Sequence, residues 1–412
     1  MNSRLTQISA YLGILCIALG IGYGLSTLTS VVKNNVITKN NPGEPTAIPT
    51  EVPEGILVYD GPKTEVCPVN GTMHTTEERA IWEQRRPLTV MIENSLDSRP
   101  QSGLSNADIV YEGIAEGGIT RFMGVYYCDV LRGSPEKYDV GPVRSARVYF
   151  ANVASEYADY PLYAHVGGAN CSAATPGGPC TTNKKVQALE LMQGWGWNNK
   201  GTWGDLSQFS LSYKVCRREY ERTGEVRDTE HTMYCSTEEM WNVAANRGLT
   251  NVTKANNTAW NKNFTSWKFT KTDKSLSSSG DVSYSFWKGY ASYDVVWKYD
   301  ATKNTYLREN GGEKHIDFTV DKQLEAKNII VQLVKEERSL DEHAHNYYEV
   351  VGTGAGYLYN SGTQEEITWT KASRTARTIF KSKSGKDVEL VPGSTWVVLL
   401  PALNKPVYAS SQ

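Results

Sequence analysis

Arg86-Pro-Leu-Thr-Val-Met-Ile-Glu-Asn94 and Phe122-Met-Gly-Val-Tyr-Tyr-Cys-Asp-Val130 decide how the folded part of this chain is read. Each is a short, nearly continuous apolar run bounded by Pro or polar residues, the composition of a strand inside a sheet. Outward from them, residues 146–159 carry Tyr149, Val153 and Tyr157 at every fourth position and end before Pro161, which predicts a helix. Residues 162–166 predict a further strand, ending at Gly167-Gly168. Helices are expected at 184–193 and 238–247, the second with a Ser236/Glu239 capping box and Gly248 as its stop. Residues 251–281 are polar and rich in Ser, Thr, Lys and Asn. After them the pattern turns to β: a hairpin at 294–300 and 305–308, then short strands at 328–334, 347–351, 356–359, 367–370, 387–390 and 396–399. The expected class is α+β. A mixed α/β first domain spans 57–248, a polar linker or insertion with some β structure 249–284, and a mainly β second domain 285–412.

The amino-terminal segment is different. Residues 5–32 contain no Asp, Glu, Lys or Arg, and 8–28 are mostly apolar. A bilayer core of ~30 Å needs about 20 helical residues, so 1–32 are expected to form a single transmembrane anchor. Arg4 before the run places the short tail in the cytoplasm and the rest outside. A cleaved signal peptide is the alternative, but no small-x-small site follows the run. Lipidation of Cys16 is disfavoured by Leu15 before it. Pro42, Pro45, Pro49 and Pro53 then mark 33–56 as an extended tether. Six cysteines lie beyond the anchor, an even number that suits an oxidising compartment and up to three disulfides among 15 pairings. Cys171 and Cys180 flank a Pro-Gly-Gly-Pro loop that a bridge would rigidify; proximity and elimination leave Cys216 with Cys235 and Cys67 with Cys128. Lys+Arg 43 against Asp+Glu 45 gives a net charge of −2, which excludes a polycationic nucleic-acid binder.

Distinctive residues are densest between Arg86 and Gly168. After the first strand come Arg99-Pro-Gln-Ser-Gly-Leu-Ser-Asn-Ala-Asp108-Ile-Val-Tyr-Glu112, then Glu116-Gly-Gly-Ile-Thr-Arg121-Phe, Gly141-Pro-Val-Arg144-Ser145-Ala-Arg147 and Ala164-His165-Val-Gly-Gly. This succession resembles the YerB-like family of bacterial envelope proteins, a domain of unknown function usually carried by lipoproteins. A second module resembles it more loosely through Trp297-Lys-Tyr-Asp, Gly312-Glu-Lys-His315-Ile-Asp317, Ala326-Lys-Asn-Ile-Ile-Val and Gly393-Ser-Thr-Trp396. The modules cover about 82–245 and 285–402. The resemblance implies a bacterial, extracytoplasmic, membrane-attached protein and supplies no reaction. This chain departs from the family in its poor lipobox and in its cysteines.

Asp108, Glu112 and Glu116 recur every fourth residue. On a helix, neighbours would stand ~5–6 Å apart at Cβ, close enough to split their pKa values into an acid and a base. On a strand they would be ~13 Å apart. The bland reading is a solvated acidic face or acids paired with arginines. Arg144 and Arg147, with Ser145 between them and Arg99 and Arg121 nearby, suit a phosphate or carboxylate. They suit Glu112 and Glu116 as fixed partners equally well. His165, at a strand end before Gly167-Gly168, is a catalytic candidate with Glu112 and Glu116, or a structural histidine. His343 and His345 with Asp341 and Glu342 are metal-ligand types without a third placed ligand, which fits a solvated loop better. No metal site and no cofactor are expected. Trp195, Trp197 and Trp203 could stack on sugar rings or pack their own loop. No metalloprotease, nucleophile-elbow, P-loop or dinucleotide fingerprint occurs.

Three functions are compatible with these residues. The first is non-catalytic binding of an anionic or glycan wall ligand, or of an envelope partner, by Arg99, Asp108, Arg121, Arg144, Ser145, Arg147, Trp195 and Trp197. The second is a hydrolase or transferase acting on an envelope glycan. The third is a receptor for an anionic small molecule. Whether the protein is an enzyme stays open at this point.

Overall fold

The structure, a computed structural model, describes residues 59–131 and 138–409. The expected anchor and tether lie outside the described residues. Among the described residues no helix is long and apolar enough to cross a membrane.

Four α-helices occur among them: α1 (Thr76–Trp82), α2 (Val148–Ala154), α3 (Ala188–Gly194) and α4 (Thr237–Asn246). Two of them, α1 and α4, start at a side-chain cap. Thr75 and Glu78 close a full capping box on α1, and the Ser236 hydroxyl accepts the Glu239 N–H at α4. The helix expected at 146–159 is shorter, because Arg147 is in extended backbone and Ser155 caps the end. The one expected at 184–193 divides into a 3-10 turn, Lys184–Val186, and α3.

Most of the regular secondary structure among the described residues is sheet. Strands β1 (Leu88–Glu93), β2 (Ile109–Glu116), β3 (Ile119–Tyr126), β4 (Leu162–His165) and β5 (Asp205–Ser207) come from the first half. The hairpin region supplies β6 (Asp281–Tyr284), β7 (Val295–Asp300) and β8 (Thr305–Asn310). The C-terminal part supplies β9 (Asn328–Glu337), β10 (Tyr347–Glu349), β11 (Gly352–Asn360), β12 (Thr363–Lys371), β13 (Ile379–Ser382), β14 (Thr395–Pro401) and β15 (Val407–Ala409).

One eleven-stranded sheet runs β13-β12-β11-β9-β14-β2-β3-β1-β4-β5, with β10 on the end of β9. Its centre joins the two halves. β14 pairs in parallel with β9 from Asn328↔Thr395 to Val334↔Pro401, and with β2 from Thr395↔Ile109 to Val398↔Glu112. The sequence of β14, Thr-Trp-Val-Val-Leu-Leu-Pro, is buried at every position, so it needs a partner on both edges and cover on both faces. Only β2 of the first half completes it. The expected domains at 57–248 and 285–412 are therefore modules of sequence that pool their strands in one compact unit, not separate cores.

A second sheet of six strands carries β8-β7-β6-β15 in antiparallel order, and its β7–β8 hairpin pairs Asp300↔Thr305 beside Asn304 at φ 49°. The stretch expected as linker or insertion holds short strands at Val252–Thr253, Thr258–Ala259 and Lys268–Phe269. Trp260 and Trp267 bury its apolar side in the core, and Trp267 Nε1 donates to Thr378 O at 2.8 Å. Three disulfides, Cys67–Cys128, Cys171–Cys180 and Cys216–Cys235, are the pairs expected from the sequence.

Candidate functional site

Asp108, Glu112 and Glu116 belong to a strand and its approach, not to a helix, so the close acid pair does not form. They go to three different places. Asp108 accepts hydrogen bonds from the backbone N–H of Tyr127 (2.6 Å), Cys128 (3.1 Å) and Asp129 (3.2 Å) and from Asn70 Nδ2 (2.8 Å). Burial and the Asp129 carboxylate push its pKa up to about 8, against those three N–H donors. Its oxygens also lie close to Cys67 and Cys128, but both sulfurs are consumed in their mutual disulfide and offer nothing to a metal. Glu112 is wholly buried. Arg308 Nη2 reaches it at 2.9 Å, Trp396 Nε1 at 3.0 Å and Thr120 Oγ1 at 3.3 Å. No substrate can touch it. It ties β2 to β8 and β14 across the two modules.

Glu116, at the end of β2, is the acid that reaches a surface. Its side chain is 31% exposed and is gripped by Arg121 Nη2 at 2.9 Å and by Arg147, whose Nε stands at 3.1 Å and whose Nη2 makes a second bond. Burial alone would raise its pKa, yet the two guanidinia outweigh burial and hold the carboxyl well below the usual carboxylate range. It cannot donate a proton near neutral pH.

The other arginines are likewise occupied. Arg121 also donates to Ser145 O (3.2 Å), and Arg144 Nε donates to Glu93 Oε1 (3.0 Å), whose Oε2 lies 2.8 Å from His231 Nδ1. Arg99 donates to Asn94 and to Ser292 O, far along the chain, and burial lowers its pKa to about 10. His165 is buried with both nitrogens facing acceptors, Gly167 O at 2.6 Å and Asp205 Oδ1 at 2.9 Å. Neither nitrogen is free to meet a substrate. Trp197 is fully buried, 5.4 Å from Trp195 edge-on, and is a core residue, whereas Trp195 reaches the surface under the Arg374 guanidinium at 4.5 Å.

Two hollows lie where α2 and the 168–195 segment of the first module meet the 335–349 segment of the second. The larger, about 630 Å³, is lined by Trp195, Leu191 and Val148 on one side and by Tyr347, Glu337 and Glu349 on the other, with Lys184, Lys185 and Lys335 around it. Lys185 pairs with Glu337 at 2.9 Å and Lys335 with Glu349 at 3.4 Å, while Lys184 is exposed. Three lysines against two glutamates leave one net positive charge beside two aromatic rings.

The smaller hollow, about 290 Å³, brings Glu116, Ser145 and Arg147 together with Gly168, Asn170, Ser172, His343 and His345. Its wall is pinned: Glu116 and His345 form an antiparallel β-bridge, and Ser172 Oγ lies 3.3 Å from His343 Nε2. Of the expected site residues, the structure gathers Glu116, Ser145 and Arg147 here, with Arg121 directly beneath. It places Trp195 in the neighbouring hollow and Arg99, Asp108, Glu112, Arg144, His165 and Trp197 in neither. His345 is not on a solvated loop as expected; it is 9% exposed and held at Nδ1 by both oxygens of Asp341 at 3.0 Å. Lys184, Lys185, Lys335 and Tyr347 carried no motif that marked them in the sequence, and Asn170 and Ser172 were marked only by the Asn-x-Ser sequon they form.

An α+β unit whose two modules share one sheet and build their hollows jointly defines a two-module class, and the comparisons with known proteins give it a family. Residues 71–250 match the family model described as protein of unknown function (DUF3048) N-terminal domain, and residues 282–397 match the model of its C-terminal domain. The chain belongs to this YerB-like family. It is 26% identical to "Putative lipoprotein YerB" of Bacillus subtilis (strain 168) over 349 residues, 84% of this chain and 89% of that protein. The crystal structure of YerB protein from Bacillus subtilis superposes with a TM-score of 0.62 at 23% identity, covering 84% of this chain and all of that one, and so supports the fold.

Proposed function

We propose that this is a membrane-attached, extracytoplasmic envelope protein that binds an acidic glycan of the cell wall in the cleft between Trp195 and Tyr347. Its family relative's description as a lipoprotein supports the location. Three disulfides agree with an oxidising compartment. The observation that carries the ligand class is the larger hollow: two aromatic rings able to lie against sugar faces, with three lysines against Glu337 and Glu349, so that Lys184 is left for an anionic substituent. The arginine cluster, first considered as the anion site, is a weaker candidate. Arg121 and Arg147 spend their charge on Glu116, and Asp341 adds a further negative charge nearby.

The test is co-sedimentation of the purified protein with cell-wall sacculi. Trp195→Ala should weaken retention about two- to tenfold, as loss of a stacked ring worth ~0.5–1.5 kcal/mol implies, and Lys184→Ala/Lys335→Ala should weaken it in the same direction. Arg144→Ala should leave retention unchanged in the folded fraction. Full retention by both cleft variants would remove the reading.

A further inference from the structure

The smaller hollow contains a histidine set up for proton transfer. His345 closes a tight turn in which Ala344 sits at φ 55°, and Leu340 N–H donates to His345 O at 2.9 Å. The turn folds Asp341 back so that both of its oxygens lie 3.0 Å from His345 Nδ1. Asp341 is itself fixed by the backbone N–H groups of His343 (3.1 Å), His345 (3.3 Å) and Asn183 (3.3 Å). Burial works to raise its pKa, but the hydrogen bond from the His345 ring, with the backbone N–H groups of His345 and Asn183, outweighs burial and holds the carboxyl below the usual carboxylate range. Such a carboxylate makes Nδ1 the protonated nitrogen of the neutral ring and leaves the Nε2 lone pair free. The hydrogen bonds of the ring are both at Nδ1, and the residue, nine-tenths buried, lines the pocket.

Across the same hollow stands Arg147. Its Nε and Nη2 serve Glu116 and its Nη1 serves Ala146 O. A guanidinium has five N–H groups, so one on each terminal nitrogen remains to meet a developing negative charge.

We propose that Asp341–His345 is the general base of a metal-free esterase that removes an acyl ester from a sugar held in this hollow. A water oxygen bonds to the ester carbonyl carbon and gives its proton to His345 Nε2. The tetrahedral oxyanion is held by Arg147. The bond from carbon to the sugar oxygen then breaks, and the Nε2 proton passes to that oxygen, giving a carboxylic acid and a free sugar hydroxyl. The choice of ester follows from what the pocket lacks. Glycosidic cleavage needs a protonated acid for the leaving oxygen, and Glu116 is held as a carboxylate while Glu112 and Asp108 are enclosed. A phosphate ester would bring two negative charges into a site where Arg121 and Arg147 are already balanced by Glu116 and Asp341. A volume of about 290 Å³ suits one acylated sugar.

This activity extends the glycan-binding reading and is tested apart from it. The full chain, solubilised in non-ionic detergent, is incubated with O-acetylated peptidoglycan sacculi and with peracetylated N-acetylglucosamine, and released acetate is measured. The wild type should release acetate above the buffer rate from at least one probe. His345→Gln should lower kcat at least about 100-fold, the usual share of a positioned base, with an unchanged thermal melt and unchanged sedimentation with sacculi. Asp341→Asn should lower kcat less. EDTA should have no effect. No release by a folded wild type, a wild-type kcat in His345→Gln, or EDTA inactivation reversed by zinc would each overturn the proposal. Loss of sedimentation with acetate release intact would instead remove only the binding reading.

Discussion

Replacing Glu112 separates a structural from a functional role for the acid that the sequence offered as a catalyst. Glu112 and Arg308 are both fully buried and meet at 2.9 Å, and Trp396 Nε1 donates to the same carboxylate at 3.0 Å. Glu112→Ala leaves a guanidinium without its counter-charge between the Trp297 and Trp396 rings, 5.2 and 4.5 Å from it. Removing one member of a buried ion pair costs ~3–5 kcal/mol. The stranded Trp396 N–H belongs to the same loss and is not added to it. About 4 kcal/mol, at ~2 °C per kcal/mol for a large domain, lowers the thermal midpoint by roughly 8 °C. Glu112→Gln keeps an acceptor for Trp396 and should lose about half as much.

The decisive comparison is the double variant Glu112→Leu/Arg308→Met. Replacing both members of a buried pair by apolar groups is close to neutral or stabilising, so the double variant should recover most of the loss seen in Glu112→Ala. Urea unfolding followed by near-ultraviolet circular dichroism measures all of these. If Glu112→Ala unfolds within about 1 kcal/mol of the wild type, or the double variant is less stable than the single one, the pair does not hold the two modules together and the argument fails.

Glu116 carries a pH signature. Its folded pKa is depressed, so its contribution is present above the unfolded carboxylate value near ~4.3 and is lost as pH falls below it; Glu116→Gln should flatten the fall in urea midpoint between about pH 5 and 3. Trp197→Ala should destabilise by ~3–5 kcal/mol as a core truncation, whereas Trp195→Ala should change melting little and sacculus binding most. Chain entropy ranks the disulfides by loop length: the Cys67–Cys128 bridge, separated by 61 residues, should stabilise by about 4 kcal/mol, and Cys171–Cys180, separated by 9, by about 3 kcal/mol. Paired Cys→Ala variants in urea, with non-reducing peptide mapping, check that order.

Much of the fold was legible because its signals are local. The strand at Leu88–Glu93 was read from six consecutive residues, and α4 from its Ser236 cap and Gly248 stop. Sheet order was not legible. That β14 pairs with β2, 286 residues apart at Val398↔Glu112, depends on which buried edges are left open once each module has formed its own strands. The period of four in Asp108, Glu112 and Glu116 fits a helix and a strand equally, and β-branched Ile109, Val110 and Ile114 with Tyr111 between the acids were the residues that argued for a strand. Arg308 sat in a hairpin with nothing to mark it as the partner of Glu112. His343 and His345 were noticed for their spacing and dismissed for want of a third ligand. The turn that brings Asp341 under His345 lies in backbone geometry that spacing does not report.

The candidate site is inseparable from the pairing at the middle of the large sheet. Glu116 ends β2, His345 is bridged to it from the loop between β9 and β10, and Arg147 reaches it from the start of α2. β9 is placed by β14, and β14 by β2, so the second module's histidine meets the first module's arginine only when the central parallel pairing has formed. Glu112 stands at that seam, four residues before Glu116, and its buried bond to Arg308 fixes the second sheet against the first. Of the charged residues that looked catalytic in the sequence, Glu112 ties the two modules together, while the side chains of Asp108, Glu116 and His165 are held by partners within the first module. The proposed chemistry would fall to Arg147 and His345, two buried residues that this register brings to one hollow.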